Sequence, residues 1–153
     1  MNSISVIEYQ SHHQPYFEQF NRYWIEKYFE MEDLDEFILC HPDEAILHSG
    51  GAILMGLYNN QLAGTAALRK VDEATFEFTK MSVDERFQRK GIAEALCYAS
   101  FDKAKSFGAK SVILYTNNIL QPAIHLYEKV GFKHVAGSNK EYKRADVKMV
   151  FDL

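Results

Sequence analysis

The residue types best suited to chemistry cluster in one turn, Arg86-Phe87-Gln88-Arg89-Lys90-Gly91-Ile92-Ala93, between a segment that reads as strand and one that reads as helix. At a helix start the free backbone N–H groups point outward with partial positive charge. Gly91 and Ala93 keep bulky side chains away from a phosphate and three cations stand close by, so the turn outlines an anion site. Neither GxGxxG nor GxxxxGK[ST] occurs anywhere, which leaves dinucleotide and nucleoside-triphosphate loops unsupported. The six histidines show no metal-ligand spacing. His12 and His13 are adjacent, a loop separates His41 from His48, and His125 faces away from its helix's apolar stripe; no metal is expected. The acidic run Glu30, Glu32, Asp33, Asp35, Glu36 can attract a cationic amine, but a charge run at helix ends reads first as a solvated face.

The elements that must hold this turn follow from periodicity. Ile4, Val6 and Glu8 open a short strand, and Pro15 suits the first turn of a helix whose Phe17, Phe20, Trp24, Tyr28 and Met31 form one stripe. A second helix spans about 34–40 and stops before Pro42. Strands at about 52–58 and 62–69 flank Asn59-Asn60 and read as a hairpin. Residues 74–83 form a longer strand with Phe76 and Phe78 on one face and Glu77, Thr79 and Met81 on the other, unless a bulge breaks the alternation. Ala93, Leu96, Cys97, Ser100, Ala104 and Phe107 make a helical stripe ended by Gly108, and Val112 to Tyr115 are apolar on both faces, as in a buried strand. Strand, helix, strand implies a right-handed parallel crossover. Pro122 to Gly131 is a last helix with Ala123, Leu126, Tyr127 and Val130 on one side; residues 132–136 and the alternating Val147, Met149, Phe151, Leu153 finish the sheet.

With 153 residues, 47% hydrophobic and 25% charged, one globular domain over residues 1–153 is expected. Residues 1–50 hold two cations against ten carboxylates, net −8, and residues 51–153 hold fifteen against eleven, net +4, so the two parts are expected to face different ligands. An acidic chain (net −4) is a poor general binder of nucleic acid. No apolar run approaches the roughly 20 residues needed to cross a bilayer, and no leader pattern is present, so no membrane partner is expected. Cys40 and Cys97 lie among apolar neighbours, a disulfide is not expected, and a cytoplasmic location fits.

The run 88–93, after a strand ending Lys80-Met81-Ser82-Val83, resembles the pyrophosphate loop of the GNAT superfamily of N-acetyltransferases: Gln or Arg, two residues, Gly, one residue, Gly or Ala. The segment T-N-N-I-L-Q-P-A-I-H-L-Y-E-K-V-G-F at 116–132 resembles the same family's next motif at the expected distance, and the order of elements matches over nearly the whole chain. E-F-T-K-M-S-V (77–83) and E-Y-K-R-A-D-V-K-M (141–149) further resemble a bacterial branch of that superfamily. The resemblance implies an α+β three-layer fold: a mixed, mostly antiparallel sheet of about seven strands with one parallel crossover and about four helices. It implies acetyl-coenzyme A (acetyl-CoA) as donor and co-substrate. Gln88, Arg89, Lys90, Gly91, Ile92 and Ala93 would hold the pyrophosphate, the strand edge at Met81 and Val83 would pair with the pantetheine arm, and a main-chain N–H there would polarise the acetyl carbonyl. Asn117 matches the family asparagine after the parallel strand, and Tyr127 the tyrosine that protonates the departing thiolate.

The implied chemistry needs a base, because an amine with pKa near 10 must lose a proton before it attacks a thioester. Glu77 is the candidate, four residues before Met81 on the strand face expected to point at the acetyl group. In this branch the loop before the last strand would close over the acceptor, which places Tyr142 and Arg144 there, with Tyr28 of the first helix. Arg144 suggests an acceptor carboxylate and the acidic run a cationic amine; an amino-acid-like acceptor reconciles them. The expected function is transfer of acetyl from acetyl-CoA to the primary amine of such a small molecule by direct attack. Two alternatives stand beside it: acetylation of a protein lysine or N-terminus, and non-catalytic acyl-coenzyme A binding, against which Tyr127 argues. The oligomeric state, a homodimer included, stays open.

Overall fold

Asn59 and Asn60 both take positive φ, 49° and 66°, which lets two residues join antiparallel strands with matching twist. They connect β2 (Ala52–Tyr58) to β3 (Gln61–Lys70), the hairpin expected there. The computed structural model, which describes residues 2–137 and 141–153, extends this hairpin into a seven-stranded sheet. β1 (Ile4–Glu8) pairs antiparallel with β2, and β4 (Thr75–Val83) antiparallel with β3. After the crossover helix α3 (Ile92–Ser106), β5 (Ser111–Thr116) returns parallel to β4. β7 (Val147–Asp152) lies antiparallel between β5 and the short β6 (Lys133–Val135), so the order is β1-β2-β3-β4-β5-β7-β6. Helices α1 (Gln14–Tyr28), α2 (Asp33–Cys40) and α4 (Gln121–Val130) complete the set. The expected class is borne out, with one addition, a five-residue π-helical turn at Asp43–Leu47.

Two apolar clusters cover the two faces of the sheet and make the three layers. Phe76, Phe78, Val112 and Leu114 pack with Leu96, Cys97 and Phe101 of α3 and Tyr127 and Val130 of α4. On the other face Ile53, Met55 and Ala67 pack with Phe17, Ile38, Leu39 and Ile46. The first turn of α3 approaches β2 and β3 closely at two glycines. A Cβ at Gly56 would stand 3.0 Å from Ile92 Cγ2 and one at Gly64 3.2 Å from the same atom, so Ile92 at the helix start is seated directly on the strand backbone.

Several expectations need correction. Lys80 has φ +53°, and the register shifts so that Thr65 faces Ser82 but Ala67 faces Thr79, which marks a bulge in β4. Beyond it the alternation inverts: Ser82 turns toward α1, where its hydroxyl donates to Asn21 Oδ1 at 2.5 Å, and Met81 packs into the Phe76/Phe78 cluster rather than beside Glu77. The α1 stripe is core only at Phe17 and Phe20; Trp24 is half-buried and Tyr28 is exposed. The acidic run is not all solvated, since Asp35 is 0% exposed. Cys40 is exposed rather than apolar-packed. The acidic first third and the basic remainder are also fastened to each other, through Asp35 with Lys80 and Arg144, Glu32 with Arg144, and Glu8 with Lys103.

Candidate functional site

β4 and β5 are paired only from Thr75–Glu77 against Ser111–Ile113. Beyond that β4 continues against β3 and β5 against β7, so the two parallel strands part. A cleft of about 770 Å³ opens where they diverge, reaching from Gln88, Arg89, Gly91 and Ala93 past Met81 and Val83 to Glu77, Tyr127, Tyr142 and Arg144. Most of the sequence-selected residues thereby share one cavity, Asn117 and Tyr28 included. Trp24 also lines it, and its indole N–H donates to the Val83 carbonyl at 2.8 Å. Sequence reasoning read Trp24 as core. The available signal was its N–H, which needs a partner when the ring is half-buried.

At the loop end, Arg89 (φ +61°) and Gly91 (φ +90°) are both left-handed. Gly91 is the N-cap of α3 and provides no side-chain cap, so the N–H groups of the first turn have no internal acceptor from that residue. Of the three nearby cations, Arg86 is held by Asp84 at 2.9 Å, whereas Arg89 and Lys90 make no ion pair among the described residues. Lys90 sits 5.2 Å over the Tyr58 ring. Bare N–H groups, two free cations and a left-handed turn suit a doubly charged phosphate group.

In the middle of the cleft Tyr127 lies edge-on to Phe78 and Phe132, with centroids 6.1 and 5.7 Å away. Its hydroxyl makes no hydrogen bond among the described residues. Burial, with a smaller contribution from Cys97, pushes its pKa above the usual phenol value, and burial pushes the Cys97 thiol up to about 12. Glu77 is 3% exposed and accepts both of its hydrogen bonds on one oxygen, Oε1, from Arg69 Nε (3.0 Å) and Nη2 (2.7 Å). Oε2 has no hydrogen-bond partner among the described residues.

The far wall is a charged cluster that sequence reasoning did not assemble. Arg144 donates to Glu32 Oε2 (3.0 Å) and to Asp35 Oδ2 (2.8 Å) and Oδ1 (2.7 Å). Lys80 donates to Asp35 Oδ1 and to the Tyr142 hydroxyl, each at 2.9 Å. Burial alone would raise the Asp35 pKa, but the Arg144 and Lys80 donors hold it at about 2. Asn117 ties the same wall to β5: its amide nitrogen donates to the Arg144 carbonyl at 2.6 Å and its oxygen accepts from the Ile119 N–H at 3.0 Å. The Asn117 carboxamide is thus engaged at both ends, and Arg144 answers the acidic run directly, which removes the conflict between them seen in sequence.

Residues 8–132 match the family model described as the acetyltransferase (GNAT) family. The chain belongs to this family of acetyltransferases. Among curated relatives, it is 31% identical over 111 residues to the N-acetylaspartate synthetase of Rattus norvegicus, covering 72% of this chain and 35% of that protein. It is 34% identical over 102 residues to the Uncharacterized N-acetyltransferase YvbK of Bacillus subtilis, covering 65% and 66%. The chain thus matches about a third of the length of the synthetase. In fold it superposes on a GNAT family acetyltransferase from Staphylococcus aureus Mu50 with TM-score 0.86 at 19% identity, covering 98% of this chain and 99% of that one. It also superposes on a GNAT family acetyltransferase from Elizabethkingia anophelis with acetyl-CoA bound, with TM-score 0.66 at 21% identity and 98% of each chain covered.

Proposed function

We propose that the chain is an acetyl-CoA-dependent N-acetyltransferase whose acceptor is the primary amine of a small molecule, with residues 1–153 acting as one N-acyltransferase domain. The observation that carries this reading is the cleft between the parted strands, with an anion cradle at one end and a carboxylate and a phenol in its middle. Relatives named as N-acetyltransferases and a related fold with acetyl-CoA bound support the donor. The residues present fit it: the uncapped first turn of α3, Arg89 and Lys90 would hold the pyrophosphate, and the β4 edge at Met81 and Val83 would align the arm. The bound donor would supply an acetyl thioester at the centre of the cleft.

Glu77 Oε2 has no donor among the described residues and would take the proton from the acceptor's ammonium, while Arg69 on Oε1 fixes the carboxylate's orientation. The N–C bond would form as the C–S bond breaks, Tyr127 giving its proton to the departing sulfur and the second proton of the acylated nitrogen passing back to the Tyr127 phenolate. A thiol of ordinary pKa about 8.5 is a poor match for a phenol above 10, but the same exclusion of water raises both groups. Tyr142, Arg144 and Tyr28 would wall the acceptor's side of the cleft. The test is thiol release from acetyl-CoA with a panel of primary amines. Release above the amine-free rate for at least one member supports the reading, and none across the panel, with donor binding intact, overturns it.

A further inference from the structure

Lys80 takes no part in the proton transfers above, yet its placement is unfavourable in three ways. It sits in a left-handed conformation at the β4 bulge, its side chain is 5% exposed, and its ammonium lacks one partner among the described residues. An ammonium has three N–H donors. Asp35 Oδ1 and the Tyr142 hydroxyl take two, the Tyr142 ring lies 4.6 Å away, and the third has no acceptor among the described residues. Burial lowers the Lys80 pKa against the pull of Asp35, as expected for a cation short of acceptors.

Arg144 is already charge-paired, spending three of its five N–H donors on the carboxylates of Glu32 and Asp35. The charges facing Lys80 balance within the cluster, Glu32 and Asp35 against Lys80 and Arg144, while Glu77 shares Arg69 with the more exposed Glu141. On β4 itself, one donor on Lys80 and one acceptor on Glu77 Oε2, three residues apart and both lining the cleft, have no partner among the described residues. A molecule with both an ammonium and a carboxylate fills both without upsetting the balance. A simple amine leaves the Lys80 donor empty.

We propose that Lys80 receives the acceptor's carboxylate and so selects amino-acid-like zwitterions over plain amines. This rests on the N-acetyltransferase reading and narrows its substrate class. The test pairs amino acids with the amines left when the carboxylate is removed: leucine with isopentylamine, phenylalanine with phenethylamine, histidine with histamine. Thiol release by the wild-type chain should favour the amino acid at least tenfold in kcat/KM in at least one pair. Lys80→Met should raise KM for that amino acid at least tenfold with kcat changed by less than threefold, and should bring the ratio near one. Lys80→Arg should keep the preference. A wild-type ratio near one in every pair, or a ratio that survives in Lys80→Met, overturns the proposal.

A binding measurement separates this proposal from the reading it rests on. With coenzyme A present, N-acetyl-leucine should raise the melting temperature of the wild-type chain more than its uncharged amide does, and the difference should vanish in Lys80→Met. That difference without turnover of any amine would sink the transferase reading and leave the Lys80 site standing. Turnover of plain amines without the difference would do the reverse, and neither would end both. Should Lys80→Met fail to fold, the wild-type comparisons alone still decide.

Discussion

Tyr127→Phe separates chemistry from packing more cleanly than other changes in the cleft. The ring holds its place by edge contacts with Phe78 and Phe132, and its hydroxyl makes no hydrogen bond among the described residues. Phenylalanine keeps those contacts, so stability should change by less than about 0.5 kcal/mol, because no hydrogen-bonded partner is orphaned. Tyr127→Ala, by contrast, should cost about 3 to 5 kcal/mol through lost burial and a cavity beside α3. If the hydroxyl delivers the proton to the leaving sulfur, Tyr127→Phe should lower turnover by about 10² to 10⁴, or roughly 3 to 5 kcal/mol of barrier.

The pH dependence gives a second readout. Burial raises the Tyr127 pKa, so the hydroxyl stays protonated throughout the range in which enzymes are assayed. The loss in Tyr127→Phe should therefore be constant from about pH 6 to 9, well below the phenol's ordinary pKa near 10. The assay is thiol release at saturating acetyl-CoA with an acceptor from the amine panel, with donor affinity measured in parallel. Turnover within tenfold of wild type at unchanged donor affinity would refute Tyr127 as the acid and return it to the apolar stripe of α4.

Acetyl-CoA at 100 times its dissociation constant should add about 2.7 kcal/mol of stability, seen as a rise in melting temperature. Gly91→Val should remove that rise, since φ +90° is strained for a β-branched residue and the cradle cannot form. Asp35→Asn should destabilise the fold by about 3 to 5 kcal/mol, because Lys80 and Arg144 lose their shared buried counter-charge. In the wild type the depressed Asp35 pKa contributes stability that is fully present above the unfolded value near 4 and lost as pH falls toward about 2. Urea unfolding should show about 2 kcal/mol lost across that window, beyond what Asp35→Asn loses. One cysteine should react with an aromatic disulfide reagent in the native state, because Cys40 is exposed while Cys97 is buried with its pKa pushed up to about 12; two reacting thiols would contradict this packing.

The parts legible in sequence are those whose causes are local. Asn59-Asn60 named its own turn, Pro122 and Gly131 bracketed α4, and the 88–93 run announced an uncapped helix start, because turn and cap chemistry depends on residues a few positions apart. What escaped depends on distant pairing. The acidic run around Asp35 reads as solvated until residue 144, 109 positions away, is brought against it. The β4 alternation reads as regular until a residue other than glycine adopts φ +53° at Lys80, which no propensity of lysine suggests.

These two failures have one cause. The bulge turns Lys80 toward Asp35 and inverts the strand beyond it, so Met81 joins the apolar cluster and Ser82 meets α1. Without the inversion, the α1 side of β4 would present Glu77, Thr79 and Met81 in a row, and the cluster of Asp35, Arg144 and Tyr142 would have no lysine at its centre. The irregularity in the strand and the charge cluster in the cleft are therefore one feature. A backbone conformation unfavourable for lysine persists because the surrounding ion pairs over-determine it, which is the usual condition under which local strain survives at a working site.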